Sequence, residues 1–447
     1  MASAVEQFAS SINFKSFTQA KDLKKRLWFT LGALLVFRLG TYIPLPGIDA
    51  RIMAEITQQN AGGILGIFNT FSGGALGRMT VFALGVMPYI SASIIVQLMT
   101  AVVPSWEALK KEGEAGRKKI NQYTRYLTVF LAAIQGYGIA TGLEVLQGPS
   151  GSAVINPGLF FKLTAMITFV GGTLFLMWLG EQITSRGVGN GISLLIFGGI
   201  VAGLPAAIAA TLDLGRTGHF SSGVILLIFA LVAAVLIFIV FMERAQRRIV
   251  IQYPKRQVGR RVVGGESTHL PMKINVSGVI PPIFASSLLL LPMTVANFSA
   301  GSDEGVMATI SSYLAHGQPL YMLFYAALII FFAYFYTAIV FNPEETADNL
   351  KKNGGFVPGY RPGKNTAEYF DYILTRLTAV GSLYLAFICV LPEFFIAKMH
   401  IPFYLGGTSL LIVVGVSMDT VAQIHSHLLA HQYEGLLKKS RLKGLKK

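Results

Sequence analysis

The chain of 447 residues holds one cysteine, Cys389, inside an apolar run. That argues against disulfides and rules out a cysteine metal cluster. Charge is scarce as well, at 13% of residues, where a soluble protein carries about 25%. The apolar runs contain few ionisable groups: Asp419 falls near the end of the last, and Glu181 and Glu243 stand at the ends of two others. Coupled ion or proton transport usually needs a midplane relay of Asp, Glu, Lys or His, and selection by charge needs rings of one sign. Neither pattern is present. A Walker loop ending in Lys-Ser/Thr is missing, so the chain itself is not expected to hydrolyse ATP. The glycines from Gly187 to Gly191 sit in no soluble βαβ unit and read as a tight turn into the run that follows. His425, His427 and His431 cluster, but their spacing suits no single helical face, which disfavours a metal. No cofactor is expected. A cleavable leader is not expected either, because the first apolar run, near Leu27, lacks a small-x-small site and many more runs follow.

What the chain has in quantity is apolar length, with 53% of its residues hydrophobic. Ten runs stand out, at residues 27–43, 78–99, 123–142, 159–179, 190–210, 224–242, 275–295, 319–341, 371–391 and 402–421. An apolar helix of about 18 residues crosses a bilayer, so the series reads as a polytopic membrane protein. The net charge of +15 sits in the joints. Lys24, Lys25 and Arg26, then Lys110 to Lys119, Arg186, Arg244 to Lys273, Lys351 to Lys364 and the tail lie on alternate joints. The remaining joints are nearly neutral. Ten spans with both termini cytoplasmic satisfy the positive-inside rule throughout. Five spans in residues 1–215 and five in 216–447 place the halves in opposite orientations, the plan of an inverted repeat. The expected fold is therefore all-α, with ten transmembrane helices in two pseudo-symmetric inverted halves.

Some segments do not behave as plain spans. Gly62 to Gly77 is apolar but short and rich in glycine. It reads either as a surface loop or as a short mobile helix in the mouth of a cavity, since bare backbone is tolerated at membrane depth only inside protein or along water. Pro88 is expected to bend the second run, where Ile90 and Ile94 face one way. Pro281, Pro282 and Pro292 surround Ile283 in the seventh run, with Asn275 and Ser277 at its start. Broken spans in opposite halves mark a central pathway.

Two loops, about 243–273 and 342–370, are long enough to protrude. Ile249 to Tyr253 alternates like a strand, and Lys255 to Arg261 forms a basic turn. Tyr360-Arg361-Pro362-Gly363-Lys364 reads as a rigid turn that points cations outward. These patches serve topology alone, or they meet anionic lipid, RNA phosphate or an acidic protein face. A secondary transporter of small solutes and a membrane scaffold remain as alternatives; the first needs a compact polar midplane site, and the second needs no broken spans.

The stretches Phe71 to Leu76, Met87 to Ile95, Gly187 to Ser193, Gly278 to Pro281 with Ile283 to Ser286, Tyr360 to Gly363 and Gln432 to Glu434 closely resemble the SecY family of protein-conducting channels, which includes eukaryotic Sec61-alpha. The resemblance covers essentially the whole chain. It implies a ten-helix channel in the bacterial inner membrane that passes unfolded secretory polypeptides and releases transmembrane segments sideways, with no catalysis of its own. The lateral gate would lie between spans two and three and spans seven and eight. It implies a pore ring of Ile90, Ile94, Ile192, Ile196, Ile283 and Ile412. It implies a plug around residues 62–74, with Gly62, Ile64, Leu65, Ile67, Phe68, Phe71, Gly73 and Gly74. Lys255, Arg256, Arg260, Arg261 and Arg361 would meet the SecA motor or the ribosome. The implied partners are SecE and SecG in a heterotrimer, the SecA ATPase, ribosomes with nascent chains, SecDF, YidC, substrate preproteins and membrane lipids.

Overall fold

The computed structural model describes residues 21–59, 69, 72–145, 147–148, 151–217, 221–254, 256–258, 261–263, 267–299, 318–399 and 406–444. Hydrocarbon offers no hydrogen bonds to the backbone, so each long apolar run closes on itself as a helix. Among the described residues, seven helices are long and apolar enough to cross a membrane, or eight if one bent pair counts as a single span. In chain order the helices are α1 (Lys21–Gly40), the short α2 (Ala50–Gln59), α3 (Met87–Val102), α4 (Pro104–Lys111) and α5 (Glu114–Val145). They continue with α6 (Leu159–Arg186), α7 (Gly191–Arg216), α8 (Ser222–Arg244), α9 (Ile280–Ser299), α10 (Pro319–Val340), α11 (Pro343–Lys352), α12 (Lys364–Met399) and α13 (Gly407–Gly444). The seven are α5, α6, α7, α8, α10, α12 and α13, and the bent pair is α3 with α4.

Among the described residues, the ten expected spans thus fall on these seven helices, the bent pair, α1 and α9. α1 opens on Lys21, Lys24, Lys25 and Arg26 and ends at Gly40, so its purely apolar part is brief. α9 is apolar from Ile280 to Leu289. The second run also differs from its expectation. Arg78 to Val86 is a series of turns, with Met79 and Gly85 in the left-handed region. Helix begins only at Met87, so Pro88 occupies the first turn, where a missing N–H costs nothing. The break falls instead at Val103–Pro104, where the chain turns by 98°.

The chain divides into two compact units. The first comprises Met1–Tyr89, Arg125–Pro205 and Ile412–Lys447. There α1 packs on α6, and the Phe82 ring stacks with Phe37 at 6.3 Å and Phe175 at 5.7 Å. Gly40 and Gly172 let the turns approach, because a Cβ on either would overlap Phe82 or the Val81 carbonyl. A core of Leu45, Leu143, Phe161 and Phe169 ties these turns to α5 and α6. Glu144 holds the start of α6 by accepting the Gly158 N–H at 2.8 Å and pairing with Lys162 at 3.0 Å. Arg125 on α5 grips Glu181 on α6 with two guanidinium nitrogens at 2.7 and 3.1 Å.

The second unit comprises Ile90–Thr124 and Ala206–Leu411. In it α10 packs on both α9 and α12. After the two-residue strands β1 (Gln147–Gly148) and β2 (Gly151–Ser152) of the first unit come β3 (Gln246–Gln252), β4 (Arg256–Val258), β5 (Arg261–Val263) and β6 (Ser267–Lys273). β3 and β6 pair antiparallel from Gln246↔Lys273 to Gln252↔Ser267. This is the strand expected from Ile249 to Tyr253, with Ile249 and Ile251 buried and their neighbours exposed. Ile249 and Met272 join Ala347, Val357, Phe370 and Ile373 in a small core, so the ribbon, α11 and the start of α12 form one body. At the start of α11, the Asn342 side chain accepts from the Glu344 and Glu345 N–H groups.

Candidate functional site

Ile90 and Ile94 lie one turn apart on α3, 6% exposed each, which agrees with a shared face. Ile283 is half-buried in the first turn of α9. Its carbonyl accepts both the Ser286 and the Ser287 hydroxyls, at 2.9 and 2.8 Å. The entry to α9 is held from the side: the Asn275 amide donates to the Glu243 carboxylate at 2.6 Å and to the Gly278 carbonyl at 3.0 Å.

In the first unit, Ile192 and Ile196 lie on α7, one turn apart, and Ile412 lies on α13. Ile196 and Ile412 are buried, and Ile192 is half-buried. The turn from Gly187 to Gly191 sets where α7 begins. The Val188 N–H donates to the Thr30 hydroxyl at 3.1 Å, and the Gly189 N–H to the Gln423 side-chain carbonyl at 2.8 Å. Asn190 caps α7 through the Ile192 N–H at 3.2 Å. Gly189 is left-handed, at φ 93°, a conformation that glycine adopts without strain. Thr30 and Gln423 come from α1 and α13, so two elements distant in sequence fix this turn. The glycine spacing announces the turn, but nothing local points to its distant partners.

Of the plug residues, Gly62, Ile64, Leu65, Ile67, Phe68 and Phe71 lie outside the described residues. Gly73 and Gly74 are described, with φ of 68° and 86°. Arg38, at the end of α1, donates to the Gly73 carbonyl at 2.6 Å and to the Tyr42 hydroxyl at 3.0 Å. Arg78 lies over the Tyr42 ring at 4.3 Å. Asn69 closes the same turn, accepting the Gly77 N–H at 2.6 Å. Sequence reading missed Arg38 and Asn69, because their partners are backbone groups far away or in irregular chain.

Among the loop cations, Arg361 is exposed, between Gly359 and Gly363, which are both left-handed. The Thr366 hydroxyl donates to the Arg361 carbonyl at 2.8 Å, and Tyr360 stacks on Tyr369 at 4.1 Å. These two contacts hold the turn against the start of α12. Arg256 starts β4 (Arg256–Val258) and Arg261 starts β5 (Arg261–Val263), which pair antiparallel, so much of the stretch expected as a basic turn is strand. Lys255 and Arg260 lie outside the described residues. On α4, the Lys111 ammonium hydrogen-bonds Glu107 at 2.7 Å and holds its carboxyl below the usual range. His425 and His427 are exposed on α13.

The family model of SecY matches residues 80–421. The chain belongs to the SecY family. Its curated relatives include the protein translocase subunit SecY of Escherichia coli strain K12, 59% identical over 95% of this chain and 96% of that one. The SecY of Vibrio cholerae is 57% identical over 95% and 96%. Among solved structures, a protein-conducting channel superposes with a TM-score of 0.61 at 18% identity, covering 91% of this chain and 92% of that one. Sec61 in a canine ribosome-channel complex gives 0.58 at 17%, with the same coverage. At such identities these two show the shared fold. The chain is a multi-pass membrane protein of that fold.

Proposed function

We infer that this chain is the channel-forming subunit of a protein translocase, passing unfolded polypeptides across a membrane. The observation that carries the reading is the match to SecY translocase subunits at 55–59% identity over nearly the full length. The chain is not an enzyme in this reading. Its halves are residues 1–215 and 216–447, inverted with respect to each other, in the bacterial inner membrane with both termini cytoplasmic. The one-sided basic joints support that orientation. Ile90, Ile94, Ile192, Ile196, Ile283 and Ile412 form the constriction. Branched apolar side chains close on one another and exclude water, which blocks ions without a polar filter. They also bind no sliding side chain tightly. The segment at 62–74 is the plug, and Arg38 and Asn69 anchor its end. A sufficiently apolar segment leaves sideways into lipid, gaining about 0.3–0.6 kcal/mol per central Leu, Ile, Val or Phe.

Energy comes from outside the subunit. Arg361 in the turn before α12 and the basic hairpin bearing Lys255, Arg256, Arg260 and Arg261 are where a SecA motor or a ribosome docks. SecE and SecG complete a heterotrimer, with SecDF and YidC as further partners. The test is ion conductance of the reconstituted complex. Ile90→Ser or Ile283→Ser should raise the resting leak and relax the demand for a strong signal sequence. Unchanged leak and unchanged stringency in both would remove the constriction from these residues.

A further inference from the structure

The start of α7 is tied to three other helices, and the ties differ in what else those helices carry. From α1, the Thr30 hydroxyl accepts the Val188 N–H at 3.1 Å, and the Arg26 guanidinium donates to the Gly187 carbonyl at 3.3 Å. From α6, the Thr184 hydroxyl accepts the Gly191 N–H at 2.9 Å. From α13, the Gln423 side-chain carbonyl accepts the Gly189 N–H at 2.8 Å. α1 and α6 bear none of the isoleucines assigned to the constriction. α13 bears Ile412, and α7 bears Ile192 and Ile196.

Gln423 and Ile412 are eleven residues apart on one continuous helix. That is three turns and about 20°, so the two lie along one face of α13, roughly 16 Å apart. The same face packs closely on the turn. A Cβ on Gly189, which is buried, would stand 3.3 Å from the Thr420 hydroxyl and 2.8 Å from the Leu194 Cδ1. Beside it, Val188 and Leu23 pack with Leu27, Ile424 and Leu428. Such apolar packing holds the helices together without direction. A hydrogen bond fixes both distance and angle. The Gln423 side chain is otherwise exposed, so its bond to Gly189 matters more than its burial.

We propose that Gln423 is a positioning residue of the constriction: by holding the Gly189 N–H, it registers the first turn of α7 on α13, and so sets Ile192 and Ile196 relative to Ile412. It acts through the turn. The proposal rests on reading these three isoleucines as part of the constriction. Losing the bond removes one neutral hydrogen bond from the closed arrangement, a bias of roughly fivefold toward arrangements in which α7 and α13 part.

The test is resting ion conductance of the reconstituted complex, together with export of a preprotein with a crippled signal sequence in cells whose only copy of the channel is the variant. Gln423→Leu removes the acceptor and keeps apolar bulk. It should raise the resting leak roughly fivefold and relax the demand for a strong signal. Gln423→Glu keeps an acceptor, in a corner that already holds the Arg26 cation, and should restore a leak near wild type. If Gln423→Leu fails to accumulate, Gln423→Ala decides, because alanine favours the helix and lacks the same acceptor. Wild-type leak and stringency without the acceptor would overturn the proposal. So would a leak that Gln423→Glu does not repair, since the residue would then act by packing alone. Ile196→Ser and Ile412→Ser in the same assays separate the two ideas. If they leak and the acceptor-free variant does not, only the positioning role fails; if neither leaks, the reading of these isoleucines fails.

Discussion

The closest backbone approach that bears on Ile192 is between α6 and the start of α7, and it turns on two glycines. A methyl on Gly191 would overlap the Gly180 carbonyl oxygen and lie 2.9 Å from the Ile183 Cβ. A methyl on Gly180 would lie 2.9 Å from the Ile192 Cγ1 and 3.4 Å from the Ile192 nitrogen. The first clash is with backbone and cannot be relieved by a rotamer. Overpacking of this kind costs about 1–3 kcal/mol. Parting the helices also strains the bond from the Gly191 N–H to the Thr184 hydroxyl, 2.9 Å long and worth about 1 kcal/mol. Against this, alanine is favoured over glycine in a helix by roughly 0.5–1 kcal/mol. Gly191→Ala should therefore destabilise by about 1–3 kcal/mol, and displace Ile192 with it. Gly180→Ala presses mainly on a side chain that can turn, and should cost less. Thermal melts of the purified complex give the first effect; resting conductance after reconstitution gives the second. A Gly191→Ala variant that melts and conducts like wild type would refute the reasoning, as would Gly180→Ala proving the more damaging.

Further outcomes follow from other corners. Arg361→Glu should abolish most motor-driven export while co-purification of the small subunits is unchanged; normal export in membrane vesicles would remove its docking role. Asn342→Ala deletes a cap that serves two N–H groups and should cost about 1 kcal/mol, read as faster amide exchange at the start of α11. Phe370→Ala empties the centre of the small core beside the β3–β6 ribbon, where Phe370 is fully buried. It should cost about 3–5 kcal/mol and expose the ribbon to limited proteolysis. Arg125→Ala breaks a half-exposed bidentate pair, so its effect on the melt should stay within about 1 kcal/mol.

What the sequence made legible was periodicity and punctuation. The run at 159–179 became α6, the alternation at 249–253 became β3, and the glycines at 187–191 became the turn they suggested. The second run misled because Phe82, Ala83 and Leu84 are as apolar as a span yet form turns packed inside protein. Hydropathy records burial and does not distinguish a helix in lipid from a turn in a core. Pro88 misled because a proline at a helix start and one in a helix interior look alike until the start is known. Of the candidate site, the isoleucine pairs at helical spacing were visible. The groups that hold their helices were not: Thr30, Gln423 and the Glu243–Asn275 pair act across long stretches of sequence, as does Arg38 on Gly73. A lone chain read residue by residue carries no signal for such contacts.

The claim beneath the account is that a polypeptide in transit passes Ile90 and Ile283. A photoreactive residue at each position, in complexes holding a stalled secretory chain, tests it directly. Phe160, which is 85% exposed on α6, is the control that should see lipid. Adducts to the stalled chain from positions 90 and 283, and none from 160, are the predicted result. Lipid adducts from positions 90 and 283, with no link to the chain in transit, would contradict the account.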